Sequence, residues 1–269
     1  VYDMECRLIP LLVKMREAGV RVDIPKAYEF HDKLVGIRDA AQARLNYEAG
    51  FEVQTMASDS VAKLCDSLKV TYPYTAKGSP SFTKDFFDNV DHPLLELVSE
   101  IRAAEKLRGT FIEGYLLNGH INGRVHCSYH PLRGDNDGTR SGRLSSSQPN
   151  LQNIPVRSEL GRYVRQLFLP DEGHIAWESA DYSQIEYRLL AHFAVGGRAD
   201  EVRARYVNDP ETDYHDMVAA LVLQYSGMTI ERGPIKNINF GLLYGMGVKK
   251  LTSQLGVTKE VARAIFEAY

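Results

Sequence analysis

The sequence predicts an α+β protein, mainly helical, with a small antiparallel sheet in its middle. Apolar residues recur at helical spacing through the first third, alternate over a short stretch behind a hairpin signal, and return to helical spacing from Ser183 onward. With 269 residues, 44% of them hydrophobic, the chain can bury a sizeable core, and its length suggests about two domains.

Met4, Leu8, Leu11 and Met15 share one stripe and predict an opening helix. Past Gly19, Asp23 and Pro25 mark a second helix start, and Phe30, Leu34, Ile37, Ala41 and Leu45 follow at helical spacing up to Gly50. Ser58 is placed to cap a shorter helix carrying Val61, Leu64 and Leu68, and the Gly, Pro and Ser content of 72–81 reads as an exposed connection. A further helix is expected over 93–117. After Asn118 the pattern changes: Asn122-Gly123 is a hairpin signal, because both residues tolerate the left-handed backbone of a tight turn, and Val125, Cys127 and Tyr129 alternate as strand residues do. The segment 134–155 is rich in Gly, Ser, Asn and Asp and reads as loop or short helix, 166–169 and 175–179 read as strands, and helices run from Ser183 to the end.

Lys and Arg number 32 against 35 acidic residues, a net charge of −3, so any nucleic-acid surface must be local. Cys6, Cys65 and Cys127 are odd in number and far apart, which fits neither a disulfide framework nor a zinc site and points to a reducing compartment. No stretch approaches the ~20 apolar residues of a membrane span, and no signal peptide is expected. Val1 is not an initiator and the first residues already read as helix, so the chain is expected to be a piece of something longer.

Two segments carry chemistry. From Arg232 to Tyr244 the chain reads Arg-Gly-Pro-Ile-Lys-Asn-Ile-Asn-Phe-Gly-Leu-Leu-Tyr, followed by Gly245, so that Arg232, Lys236, Phe240 and Tyr244 form one ladder on a helix. Its first two rungs suit phosphates, Arg by a bidentate fork and Lys as a point charge, and the next two offer flat faces to sugars and bases. A solvated face with ordinary core aromatics is the competing reading, but Pro234 fits a first helical turn and places Arg232 at an N-terminus that favours anions. In Asp181-Tyr182-Ser183-Gln184-Ile185-Glu186-Tyr187-Arg188, Asp181 leaves a predicted strand beside a helix start, a place suited to hold Mg²⁺. Against that stands a capping box formed by Ser183 and Glu186, with Asp181 complementing the helix dipole.

Together with a third block, Thr139-Arg140-Ser141-Gly142-Arg143-Leu144-Ser145-Ser146-Ser147-Gln148-Pro149-Asn150-Leu151-Gln152-Asn153-Ile154-Pro155, these segments resemble, in order and wording, the polymerase signatures of the family A DNA polymerases. Arg-Ser-Gly-Arg and Tyr187 are similar to phage members of that family. The resemblance extends over essentially the whole chain. It implies part of a right-hand polymerase fold, with a thumb and its lead-in helix over 1–92, a partial palm over 93–205 and partial fingers over 206–269, in a bacterial or phage-infected host cytoplasm.

Residue by residue, the resemblance implies that Asp181 ligates two Mg²⁺ ions, helped by the carbonyl of Tyr182, and that Glu186 is the ribose gate that selects deoxynucleotides. Arg232 and Lys236 then hold the triphosphate of the incoming deoxynucleoside triphosphate, with Lys236 nearest the phosphate under attack. Phe240 stacks on the nucleoside, Tyr244 lies near the templating base, and His215 contacts the outer phosphates. On primer-template DNA, Arg143, Asn150 and Gln152 match residues that touch the minor groove, where donors can check pair geometry without reading sequence. Arg102 and Lys106, four apart, resemble a pair that grips the primer backbone, against a plain solvated helix face.

Phosphoryl transfer of this kind needs more than one metal-binding carboxylate. The family's second lies in a His-Asp-Glu segment, which does not occur here: His31-Asp32 is followed by Lys33 and His215-Asp216 by Met217. The 269 residues alone are therefore expected to be inactive in templated synthesis. The alternatives are a non-catalytic primer-template binding module and a relative of the single-subunit RNA polymerases. Nothing in the sequence sets the oligomeric state.

Overall fold

A computed structural model describes residues 2–132, 134, 138–139, 141–156 and 158–269. Arg140, part of the third sequence block, lies outside the described residues. The chain divides into two compact units, Val1–Trp177 and Glu178–Tyr269.

The first unit opens with α1 (Tyr2–Ala18), then β1 (Val20–Val22) and α2 (Ile24–Ala49). Asp23 starts α2 as expected: its carboxylate accepts the Lys26 N–H, Pro25 occupies the first turn, and Gly50 ends the helix in a left-handed conformation. α3 (Ser58–Leu68) follows, but Ser58 is its first residue rather than its cap. The capping position is Ala57, and the nearby hydroxyl of Ser60 instead accepts the Gln54 N–H. After α4 (Lys84–Asp88) comes α5 (Pro93–Lys106). The expected single helix over 93–117 changes type at Leu107 and runs to Leu117 as a π-helix. The wider turn leaves little room at Gly114, where a Cβ would meet the Gly109 carbonyl at 3.2 Å.

α2 is the spine of this unit. Phe30 and Leu34 on its first half pack with Phe111, Ile112, Leu116 and Val125, and Ala41 and Leu45 on its second half pack with Val61, Leu64, Val98 and Ile101. Leu34 and Leu45 are fully buried, each a contribution of about 1.5–3 kcal/mol. Beside the first cluster runs a chain of charges: His31 to Asp32 and Glu113, Glu113 to Arg108, Arg108 to Glu105, and Glu105 to Arg38.

β2 (His120–Ile121) and β3 (Arg124–Val125) form the predicted hairpin, with Asn122 and Gly123 at φ 50 and 76. They join an antiparallel sheet in the order β2-β3-β1-β6, β6 being Phe168–Leu169, in which Arg21 pairs with Arg124 on one side and Leu169 on the other. The alternation expected through Tyr129 is split between two sheets: Cys127 lies in neither, and β4 (Ser128–His130) pairs with β5 (Ser145–Ser147). The segment 134–155 thus contains a strand and a short 3-10 turn, Leu151–Asn153. α6 (Glu159–Arg165) precedes β6, capped by the Ser158 hydroxyl on the Gly161 N–H. The strand expected over 175–179 does not form. Ile175 is fully exposed and Trp177, more than half exposed, donates its indole N–H to the Phe168 carbonyl, so alternation here finds no strand to pair with among the described residues.

The second unit is helical: α7 (Ile185–Phe193), α8 (Gly197–Asn208), α9 (Tyr214–Ser226), α10 (Arg232–Leu243), α11 (Val248–Leu255) and α12 (Lys259–Ala268). Val218, Val222, Ile235, Ile238, Leu251 and Ile265 form its core. The three cysteines are free, Cys65 and Cys127 buried, and burial pushes the Cys65 thiol up to about 11. Among the described residues no helix is long and apolar enough to cross a membrane.

Candidate functional site

α10 turns Ile235, Ile238, Asn239 and Leu242 into the core of the second unit. The ladder therefore stands on the neighbouring stripe, as the four-residue spacing predicts. Arg232, Lys236 and Tyr244 are exposed and Phe240 is half-buried. The Lys236 ammonium lies 5.8 Å from the Phe240 ring centroid, and the rings of Phe240 and Tyr244 are nearly parallel with centroids 6.5 Å apart. Tyr244 caps the helix and Gly245 turns the chain at φ 87.

Arg232 is ion-paired with Asp213 and lies 3.5 Å from Asp216, both at the start of α9. Asp213 also caps α9 by accepting the His215 N–H. Its burial would raise its pKa, but the Arg232 hydrogen bond, the His215 N–H and the Arg232 charge outweigh burial and hold it below the ordinary carboxylate value. His215 is 3% exposed, beneath the ladder rather than on it. Its Nδ1 lies 2.8 Å from Asn239 Nδ2, and the edge-on Tyr187 ring lies 5.0 Å away. Burial, reinforced by Arg232 and Lys236 and opposed by Asp213 and Asp216, depresses its pKa.

Asp181 and Tyr182 are exposed in the coil before α7, and Glu186 is half-buried in the first turn of that helix. The capping box does not form. The position before α7 is Gln184, left-handed at φ 53 and without a side-chain cap, and Ser183 lies one residue too early. Gln184 is used otherwise: its amide donates to the Thr212 carbonyl and accepts the Tyr214 N–H at 2.8 Å, pinning the segment after Asp181 to the start of α9. Arg188 adds a second tie, donating to the carbonyls of Ser183 and Pro210. Tyr187, fully buried, stacks on Tyr214 at 4.8 Å and touches Phe240 at 5.5 Å. One helical unit therefore carries Asp181, Glu186, His215 and the ladder. Gln184, Tyr187 and Asn239 are the connecting residues that spacing alone does not assign. The left-handed, non-glycine position of Gln184 is invisible in sequence, whereas Asn239 carried a signal, a polar residue on the apolar stripe of Ile235, Ile238 and Leu242.

In the first unit the third block folds on its own polar groups. Thr139 donates to the Arg143 carbonyl, Ser146 donates to Asn150, Asn150 accepts the Gln152 N–H, and the Gln152 amide donates to the Leu144 carbonyl. Arg143 and Gln152 are exposed and Asn150 is half-buried. The Arg102 and Lys106 pair separates: Lys106 is exposed, while Arg102 donates to the carbonyls of Thr55 and Phe82 and covers the Phe87 ring. Arg102 therefore does not stand on an open DNA-gripping face, because a partly buried guanidinium uses its fork on backbone oxygens.

For Mg²⁺ the fit is partial. Among the described residues no group of three His, Cys, Asp or Glu side chains converges, at Asp181 or elsewhere.

Residues 29–269 match the family model described as DNA polymerase family A. A DNA-directed DNA polymerase of Pseudomonas phage M6 is 33% identical over 97% of this chain and 41% of its own length. DNA polymerase I of Deinococcus radiodurans is 34% identical over 100% of this chain and 28% of its own. Among solved structures, the polymerase domain of Pol1 from M. smegmatis, in complex with DNA primer-template and dNTP, superposes with a TM-score of 0.74 at 26% identity over 98% of this chain and 46% of that one. The chain thus spans less than half the length of these relatives. The match over 29–269, carrying the ladder and the Asp181 segment in one unit, means that this chain belongs to DNA polymerase family A.

Proposed function

We propose that the parent protein extends primers by template-directed addition of deoxynucleotides, and that this chain supplies its nucleotide-binding helix and part of its primer-template surface. The observation that carries the reading is α10, where two exposed cations and two aromatic faces stand in register over a buried histidine. Lys236 and Arg232 neutralise the triphosphate, Arg232 exchanging its acidic partners for phosphate oxygens. Phe240 supports the nucleoside, Tyr244 meets the templating base, and Glu186 bars a 2′-hydroxyl. Arg143, Asn150 and Gln152, with Lys106, contact primer-template DNA, and Arg102 serves the fold.

Asp181 and the Tyr182 carbonyl are one part of the Mg²⁺ site, and the remaining carboxylate comes from a segment outside the 269 residues. Divalent metal in the completed site would neutralise the phosphoryl oxygens. The 269 residues alone are inactive on this reading, because one carboxylate cannot hold that site. The subdomain assignment (thumb 1–92, partial palm 93–205, partial fingers 206–269) names roles, whereas compactness divides the chain after Trp177.

Primer extension tests the proposal. In the full-length parent, Asp181→Ala is expected to lower extension about a thousandfold or more while primer-template affinity changes severalfold at most. Unchanged extension would make the protein a DNA-binding module, and extension by the isolated 269 residues would refute the incomplete-site reading.

A further inference from the structure

Asn239 has no part in the roles assigned above, yet it is 0% exposed, the most buried polar side chain among the described residues. It sits on the core face of α10 between Ile238 and Phe240. Its Nδ2 lies 2.8 Å from His215 Nδ1, and its Oδ1 has no hydrogen-bond partner among the described residues. An imidazole nitrogen that close to an amide nitrogen accepts, so Nδ1 is bare and the ring proton sits on Nε2. Rotating the amide would leave two N–H donors unpaired in the core instead of one N–H and one carbonyl oxygen, and an orphaned donor is the costlier of the two. Tyr187 from α7 and Phe240 from α10 fix the ring plane.

We propose that Asn239 is a positioning residue that locks His215 as the Nε2–H tautomer, making it a neutral hydrogen-bond donor to the outer phosphates of the incoming nucleotide and not a third cation. The inference rests on the nucleotide-binding reading of α10. Because Asn239 precedes Phe240 directly, the phosphate donor and the nucleoside platform are set by the same helical turn. A neutral donor also fits the charges facing the ring, which are already balanced: Arg232 and Lys236 from α10, Asp213 and Asp216 from the start of α9, with the Tyr187 phenol on α7.

The test uses the full-length parent with ¹⁵N-labelled histidine, the His215 signal being assigned by its loss in His215→Ala. A bare Nδ1 and a protonated Nε2 are expected. Asn239→Asp keeps the shape but can only accept, so it should move the proton to Nδ1. Titration with dTTP and Mg²⁺ should then show about tenfold weaker binding at pH 8, the size of one hydrogen bond to a charged acceptor. Affinity should recover as the pH falls and the imidazolium carries both protons, and in a His215→Ala background Asn239→Asp should add no further loss. A wild-type ring protonated on Nδ1, or a pH-independent loss in Asn239→Asp, would overturn the positioning role while leaving the nucleotide site intact. Failure of the wild-type parent to bind dTTP, whatever its tautomer, would overturn both readings.

Discussion

The pattern Arg-x-x-x-Lys occurs on a helix in each unit, and the two pairs are used in opposite ways. On α5, Arg102 folds inward onto the carbonyls of Thr55 and Phe82 and over Phe87, and burial holds its pKa below the usual arginine value. On α10, Arg232 stays exposed beside Asp213 and Asp216, and Lys236 stands open next to Phe240. Spacing decides only that two cations share a face. What lies beside that face decides whether they serve the fold or a ligand: loop carbonyls in need of donors for Arg102, acidic side chains that a phosphate can replace for Arg232.

The sharpest way to break this contrast is to truncate the exposed cation. Lys236→Ala in the full-length parent is expected to lower primer extension about a hundredfold, the scale of removing one preorganised charge-stabilising donor, with no change in the unfolding midpoint. Lys106→Ala should change DNA affinity only severalfold. A fall in stability for Lys236→Ala with extension intact would mean that α10 presents a structural face.

Arg102→Ala should do the reverse. It leaves two carbonyls without their donor and uncovers Phe87, a destabilisation of about 2–3 kcal/mol read from denaturant midpoints. Arg102→Lys should recover little of it, since an ammonium cannot reproduce the fork. Unchanged stability with weakened primer-template binding would restore Arg102 to a DNA-gripping role.

The same contrast explains what was legible in the sequence. The ladder is readable because α10 buries a regular apolar stripe, Ile235, Ile238 and Leu242, so its functional rungs fall on a predictable face. Asp23, Pro25 and Gly50 bound α2 as read, since caps act through local backbone chemistry. The third block has no period: its shape comes from side chains bonding nearby backbone, such as Gln152 to the Leu144 carbonyl, and only its wording identifies it. The strand expected over 175–179 failed because alternation names a strand but not its partner. The ties of Gln184 to Thr212 and Tyr214 and the pairing of Asn239 with His215 are long-range, and no local signal contains them.

The smallest expected effect separates the two units by pH. His31 in the first unit hydrogen-bonds Asp32 and then Glu113, which together outweigh burial and raise its pKa above 6.5. Its stabilisation is fully present below 6.5 and is lost as pH rises through the folded-state value. His215 in the second unit is depressed below 6.5, chiefly by burial, so the native state keeps it neutral and the unfolded chain takes the proton first. Its effect is the opposite: stability falls as pH drops below 6.5, and Asp213, also depressed, adds a further loss at more acidic pH. NMR titration should place the His31 midpoint above 6.5 and the His215 midpoint below it. His31→Gln should flatten the alkaline-side loss of stability and His215→Gln the acid-side loss. If both midpoints moved the same way, the claim that one unit holds its histidine by charge and the other by burial would fail.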